Sequence, residues 1–135
     1  MALQLSVAVR NARLDAIETT AGASAVLRIR TGTVPASCAA ARTGTVLATV
    51  NLPSDWMAAA SGGSKAFSGT WQDLSADAAG TAAHFEIMNN VLSTCHLQGT
   101  VTATGGGGDM TVNNVVFAAA QQFDVTGFTL TDGNA

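Results

Sequence analysis

The chain has 135 residues, a net charge of −3 and only 11% charged side chains, a length that suits one domain around one core. Its six lysines and arginines do not form a block and cannot supply the basic surface that nucleic-acid binding needs. Hydrophobic residues make up 47% but aromatics only 5%, and burial scales with apolar area at about 25 cal/mol per Å², so an alanine-rich core of this kind is modest and gains from contacts with other subunits.

The amino terminus, "MALQLSVAVRNARLD", has no basic leader, and Arg10 interrupts its short apolar run. It does not read as a secretory signal. No apolar run reaches the roughly 18 residues that a membrane-spanning helix needs. Residues 6–20 read as a helix: Leu3, Val7, Leu14 and Ile17 recur at helical spacing, while Arg10, Arg13, Asp15 and Glu18 occupy the remaining surface. Ser6 suits the cap and Gly22 the stop. A helix with an apolar stripe must bury it, here against its own sheet or a neighbouring subunit.

After Gly22 the period becomes alternating. "AVLRIR" puts Leu27 and Ile29 on one face with Arg28 and Arg30 on the other, and "TVLATVNL" alternates up to Pro53. Between them "TGTVPASCAAARTG" reads as a loop. A single helical turn is expected to carry Trp56 and Met57. "AFSGTW" resumes extended structure with Phe67 and Trp71 inward. "TAAHFEIM" is a strand with Ala83, Phe85 and Ile87 inward and His84, Glu86 and Met88 outward. Asn89-Asn90 suits a tight turn, and "VLSTCHLQGTVTAT" suits a strand bulged near Gly99. In the last strand, Phe123 and Val125 alternate, and Gly127 shifts the phase before Phe128 and Leu130. One helix and about seven to nine short strands predict a mainly β protein, an antiparallel, jelly-roll-like β-sandwich. Residues 1–22 form a helical segment packed on the sandwich or on a neighbour, and residues 23–135 form the sandwich itself.

The run "TATGGGGDM" invites a phosphate-cradle reading. Such a loop needs a lysine and a Ser or Thr after the last glycine and then a helix. Here Asp109 follows, and its carboxylate would repel a phosphate. Gly105, Gly106, Gly107 and Gly108 read instead as a hairpin loop that uses positive φ, mobile unless a partner holds it. His84, His96, Cys38 and Cys95 have metal-binding atoms but no metal-binding spacing. Adjacent strand residues such as Cys95 and His96 face opposite ways. Cys38 and Cys95 are either two buried free thiols or one disulfide. No nucleophile elbow accompanies a Cys–His pairing, and carboxylate pairs such as Glu86 with Asp73 or Asp109 arise by chance among nine acids. An enzyme is therefore not expected, nor a cofactor or metal. A carbohydrate-binding module would need an exposed aromatic: Trp71 reads as core, and Trp56 as either core or ligand contact.

The order of "LSVAVRNARLDAIET", "AVLRIRTGTVPASCAAARTGTVLATVNLPSDWM", "ASGGSKAFSGTW", "TCHLQGTVTATGGGGDM" and "FTLTDGNA" resembles a family of small virion-associated structural proteins of tailed bacteriophages and prophages. The resemblance spans the chain and rests on texture rather than on a catalytic motif. It implies a virion protein made in the host cytoplasm, a homo-oligomer without catalytic residues or cofactors, and no direct contact with nucleic acid or membrane. A capsid decoration or cement protein bound to the major capsid protein is one placement, and a tail or fibre component is the other. Expected assembly contacts are Leu3, Val7, Trp56, the Gly105–Gly108 run and strand edges open to pairing.

Overall fold

The computed structural model describes residues 3–134. Helix α1 (Val7–Ala21) precedes ten strands: β1 (Val26–Arg30), β2 (Val46–Asn51), β3 (Ser64–Ala66), β4 (Gln72–Asp73), β5 (Gly80–Thr81), β6 (His84–Met88), β7 (Cys95–Ala103), β8 (Met110–Val112), β9 (Val116–Phe117) and β10 (Phe123–Thr131). The fold is mainly β, as the turn spacing predicts. The principal sheet runs β2-β1-β6-β7-β8-β10-β3, with β4 also paired to β10, and β5 and β9 form a separate ribbon.

Strand alternation sets the core. Leu27, Ile29, Ala48, Val50, Phe85, Ile87, Val101, Met110, Val112 and Phe128 are all buried and line one continuous hydrophobic cluster. Trp71 sits at its centre, with ring centroids 5.9 Å from Trp56, 5.3 Å from Phe67 and 5.6 Å from Phe128. Edge-to-face and tilted ring pairs at these separations add to the area term. The phase shift expected at Gly127 is present, since the β8–β10 register slips between Val125 and Gly127. The irregularity expected near Gly99 lies elsewhere, between Ile87 and Met88 of β6 opposite Leu97 and Cys95. Gly99 serves a different purpose: a Cβ there would stand 2.8 Å from both Phe85 and the Asp109 carboxylate.

Several expectations are corrected. The Asn89-Asn90 pair is no two-residue turn. Asn89 Oδ1 accepts from the amides of Ser93 and Thr94, which stretches the β6–β7 connection to Cys95. Met57 pairs with Phe67 in an isolated bridge, so no helical turn forms there. The sheet is not purely antiparallel: β7 and β8 run parallel, with Val101 opposite Met110 and Ala103 opposite Val112. Segment 104–109 is therefore a crossover and not a hairpin. Nor are the sheet edges open. On β2, the Thr49 amide donates to Asp73 Oδ2, and the Leu47 carbonyl accepts from the Asp77 amide. Beyond β3, the Ala58 amide donates to the Ala66 carbonyl. Occupied edges of this kind resist edge-to-edge pairing.

Helix α1 docks differently from its sequence pattern. Leu3, Val7 and Val9 are exposed, while Arg10, Leu14 and Ala21 are buried and Ile17 is half-buried. The stripe Asn11, Asp15 and Glu18 accepts the amides of Gly63, Ala60 and Met57, each at 2.9–3.0 Å. One helical face thus takes every third amide of an antiparallel loop. Trp56 Nε1 extends the row by donating to the Gly22 carbonyl at 3.0 Å. Ser6 caps the helix through the Val9 amide, and the Leu5 amide donates to the Asn134 carbonyl at 2.7 Å.

Candidate functional site

Three places hold the residues singled out from the sequence. The first is the outer face of β1, β6 and β7 beneath the 31–45 loop. The strand alternation is as expected, with Phe85 and Ile87 inward, but the outward set is buried as well. Glu86 has no exposed surface, and His84 and Met88 are buried, so the outward face on which all three were expected is itself covered. The loop covers them. Glu86 Oε1 accepts from Arg30 Nε at 2.9 Å and Oε2 from Arg42 Nη1 at 3.1 Å, and Arg42 Nη1 also reaches Gln98 Oε1 at 3.2 Å. Arg42 folds the loop around itself by donating through Nη2 to the carbonyls of Ser37, Cys38 and Ala40. Gln98 Nε2 donates to the Pro35 carbonyl at 2.6 Å. His84 Nδ1 stands 3.1 Å from the Gly32 carbonyl, and its Nε2 has no partner among the described residues.

Cys38 and Cys95 meet at this site as free, half-buried thiols. Burial first, and then the neighbouring Cys38 thiol, push the Cys95 thiol up to about 11. The Cys95 thiol donates to the Leu97 carbonyl at 3.2 Å. His96 faces the other way and lines a depression with Arg13, Ala16, Ile17 and Thr20 of α1. The sequence reading held these two neighbours apart by strand alternation, but it had no signal that Cys38 would cross to Cys95. Arg42 and Gln98, which bind the carbonyls of Cys38 and Pro35 there, are brought together only by the folded sheet.

The second place is the glycine run. Asp109 Oδ2 accepts from both the amide and the hydroxyl of Thr100, each at 2.9 Å, and the Gly108 amide donates to Thr102 Oγ1 at 3.0 Å. The chain therefore doubles back along its own strand. Gly105 and Gly107 have φ of +86° and +80° with open space around them. A Cβ at Gly106 or Gly108 would fall 2.7 Å or 2.9 Å from Thr102 side-chain atoms. Two glycines answer a dihedral requirement and two a steric one. Beside the run, a cleft of about 290 Å³ opens between β7 and β10, lined by Leu97, Gln98, Asp109 and Phe128–Thr131. Its carboxylate, Asp109, is already engaged with Thr100.

The third place is the amino-terminal end of α1. Leu3 is 76% exposed and Val7 48%. Trp56 is not available there or elsewhere on the surface: it is fully buried, which corrects its placement among the assembly contacts. The indole plugs the core because its one donor finds the helix C-terminal carbonyl. A cluster around Lys65 lies on the inner side of the helix. Lys65 Nζ sits 2.7 Å from Asp15 Oδ1 and 3.0 Å from Glu18 Oε2. Burial works to lower the Lys65 pKa, but the hydrogen bonds that its ammonium donates to Asp15 and Glu18 outweigh it and hold the group above its ordinary value. The Lys65 hydrogen bond in turn holds Asp15 below its ordinary value.

Among the described residues, no three of His, Cys, Asp and Glu gather as metal ligands, and no helix is long and apolar enough to cross a membrane. No family model, no curated protein and no solved structure matches this chain.

Proposed function

We propose that the protein is a bacteriophage virion structural protein, a capsid decoration or cement protein that binds the head shell by protein–protein contacts. The observation that carries this reading is the apolar surface at the start of α1. Leu3 and Val7 lie exposed just before and at the first turn of α1 on a chain with very few charges, while the inner face of the helix buries Leu14 and Ala21 and binds the 57–63 loop through Asn11, Asp15 and Glu18. Exposed apolar side chains grouped at one end of an element mark contact surfaces. The capped edges of β2 and β3 turn assembly away from strand pairing and toward this helix end. The sandwich description belongs to the same proposal: β1, β2 and β10 all supply side chains to the one buried cluster that holds Trp56, Trp71 and Phe128. The assembly is a homo-oligomer, and its partner is the major capsid protein.

Quantifying the protein in isolated virions tests the reading. A cement protein is present at a stoichiometry near that of the capsid subunit, and Leu3→Asp with Val7→Asp lowers its occupancy without lowering its thermal stability. A handful of copies per particle overturns the cement reading and favours the tail or fibre placement. The carbohydrate-binding alternative loses its stacking platform, because both Trp56 and Trp71 are buried.

A further inference from the structure

We propose that Cys38 and Cys95 form a redox-responsive pair, closed by a small-molecule disulfide such as oxidised glutathione into a bond that ties the 31–45 loop to β7. The placement rests on the outer face of the sheet. Gln98 opposes Glu86 and Cys95 opposes Met88 across the β6–β7 register, so both side chains project toward the covering loop. Gln98 Nε2 holds the Pro35 carbonyl, and Arg42 holds the Cys38 carbonyl at 2.7 Å while also reaching Gln98 and Glu86. The loop segment that carries Cys38 is thereby pinned over the strand that carries Cys95. Both thiols are free and half-buried. The buried Arg30–Glu86–Arg42 cluster lies under the same loop, so the bond would fasten the cover of the one ionic cluster described on that face.

The exchange balances in two steps. The Cys38 thiolate attacks one sulfur of oxidised glutathione, forms a mixed disulfide and releases one glutathione thiolate, which takes up a proton. Cys95 then loses its proton to water, attacks the Cys38 sulfur and releases the second glutathione. Two protein thiols are oxidised and one glutathione disulfide is reduced to two thiols. Cys95 is the second nucleophile because burial, the Cys38 thiol and the Glu86 carboxylate keep its proton on, against the opposing pull of Arg42.

Equilibrating the full chain with oxidised glutathione, followed by peptide mapping, tests the proposal. The expected product is an intrachain disulfide, each chain having lost two hydrogens, with the Cys38 and Cys95 peptides linked and a melting temperature raised by the order of 10 °C. Its closure speeds up as pH rises, because a thiolate attacks in each step. Cys95→Ser accumulates a single glutathione on Cys38 that does not resolve. Stable glutathione adducts on both cysteines, disulfide-linked dimers, or two thiols inert to the reagent would each overturn the proposal. If Cys95→Ser does not fold, the peptide map of the unsubstituted chain still decides.

Discussion

At Glu86 a carboxylate with no exposed surface meets two guanidinium groups, Arg30 at 2.9 Å and Arg42 at 3.1 Å. Burying such a cluster brings little net stability over an apolar replacement, but removing one member strands the others. Glu86→Ala leaves Arg30 and Arg42 facing each other under the loop. The expected cost is about 3 kcal/mol, at the low end for a broken buried pair because Arg42 keeps some access to water. Urea denaturation checks it, and Glu86→Gln, which retains an acceptor, should fall between the two. The local pattern could not reveal this role. Alternation correctly puts Phe85 and Ile87 inward and sends His84 and Glu86 to the opposite face, but it says nothing about what lies beyond that face. The cover comes from a loop more than forty positions earlier in the chain, held by Arg42, whose partners no short window contains. The one available hint was chemical: a strand glutamate in a chain with only 11% charged residues.

The glycine run shows what an element-scale reading can and cannot supply. Its glycines do mark a special backbone, and Asp109 after them binds Thr100 and leads into a strand rather than a helix. The direction of the next strand was not legible, because "MTVNNVVF" alternates equally well in a parallel or an antiparallel partner. The parallel return along Thr102 divides the run into two kinds of glycine, and mutational coupling distinguishes them. Gly108→Ala pushes a methyl to 2.9 Å from the Thr102 side chain, so its cost should shrink in a Thr102→Ala background, with a coupling of at least about 0.5 kcal/mol. Gly105→Ala meets nothing within 4 Å. Its cost, about 1 kcal/mol from the positive φ alone, should add to that of Thr102→Ala without coupling. Melting curves of the unsubstituted chain, the three single variants and the two double variants measure both cycles. Helix α1 carries the same lesson. Its limits and Ser6 cap were legible from capping chemistry. Its docking was not, because the face that binds the loop is made of Asn11, Asp15 and Glu18, residues that a hydrophobic-stripe search assigns to solvent.

For the whole molecule, the ionisable groups with perturbed affinities set the pH range of stability. Asp15 is held below its ordinary value of 3.8, so its contribution is present above that pH and is lost as pH falls through the lower, folded value. Lys65 is held above 10.5 and Cys95 is raised from 9.0 to about 11. Both contributions are complete below those ordinary values and are lost as pH rises through the folded ones. The urea midpoint should therefore be flat from about pH 5 to about pH 8 and fall above about pH 9. Cys95→Ser should remove the first part of the alkaline fall, and Lys65→Met the part beyond the ordinary lysine range. A midpoint that falls identically in all three chains contradicts these assignments.

The hydrogen bond from the Leu5 amide to the Asn134 carbonyl also has a practical side. It brings the two extremities of the described chain to a single pole, beside the exposed Leu3 and Val7 side chains. Cargo fused at either extremity, such as a fluorescent domain or a displayed antigen, would emerge there and crowd the very surface proposed to grip the shell. The Asn89–Thr94 turn, where Val91 and Leu92 are exposed, offers a splice point that leaves that pole clear.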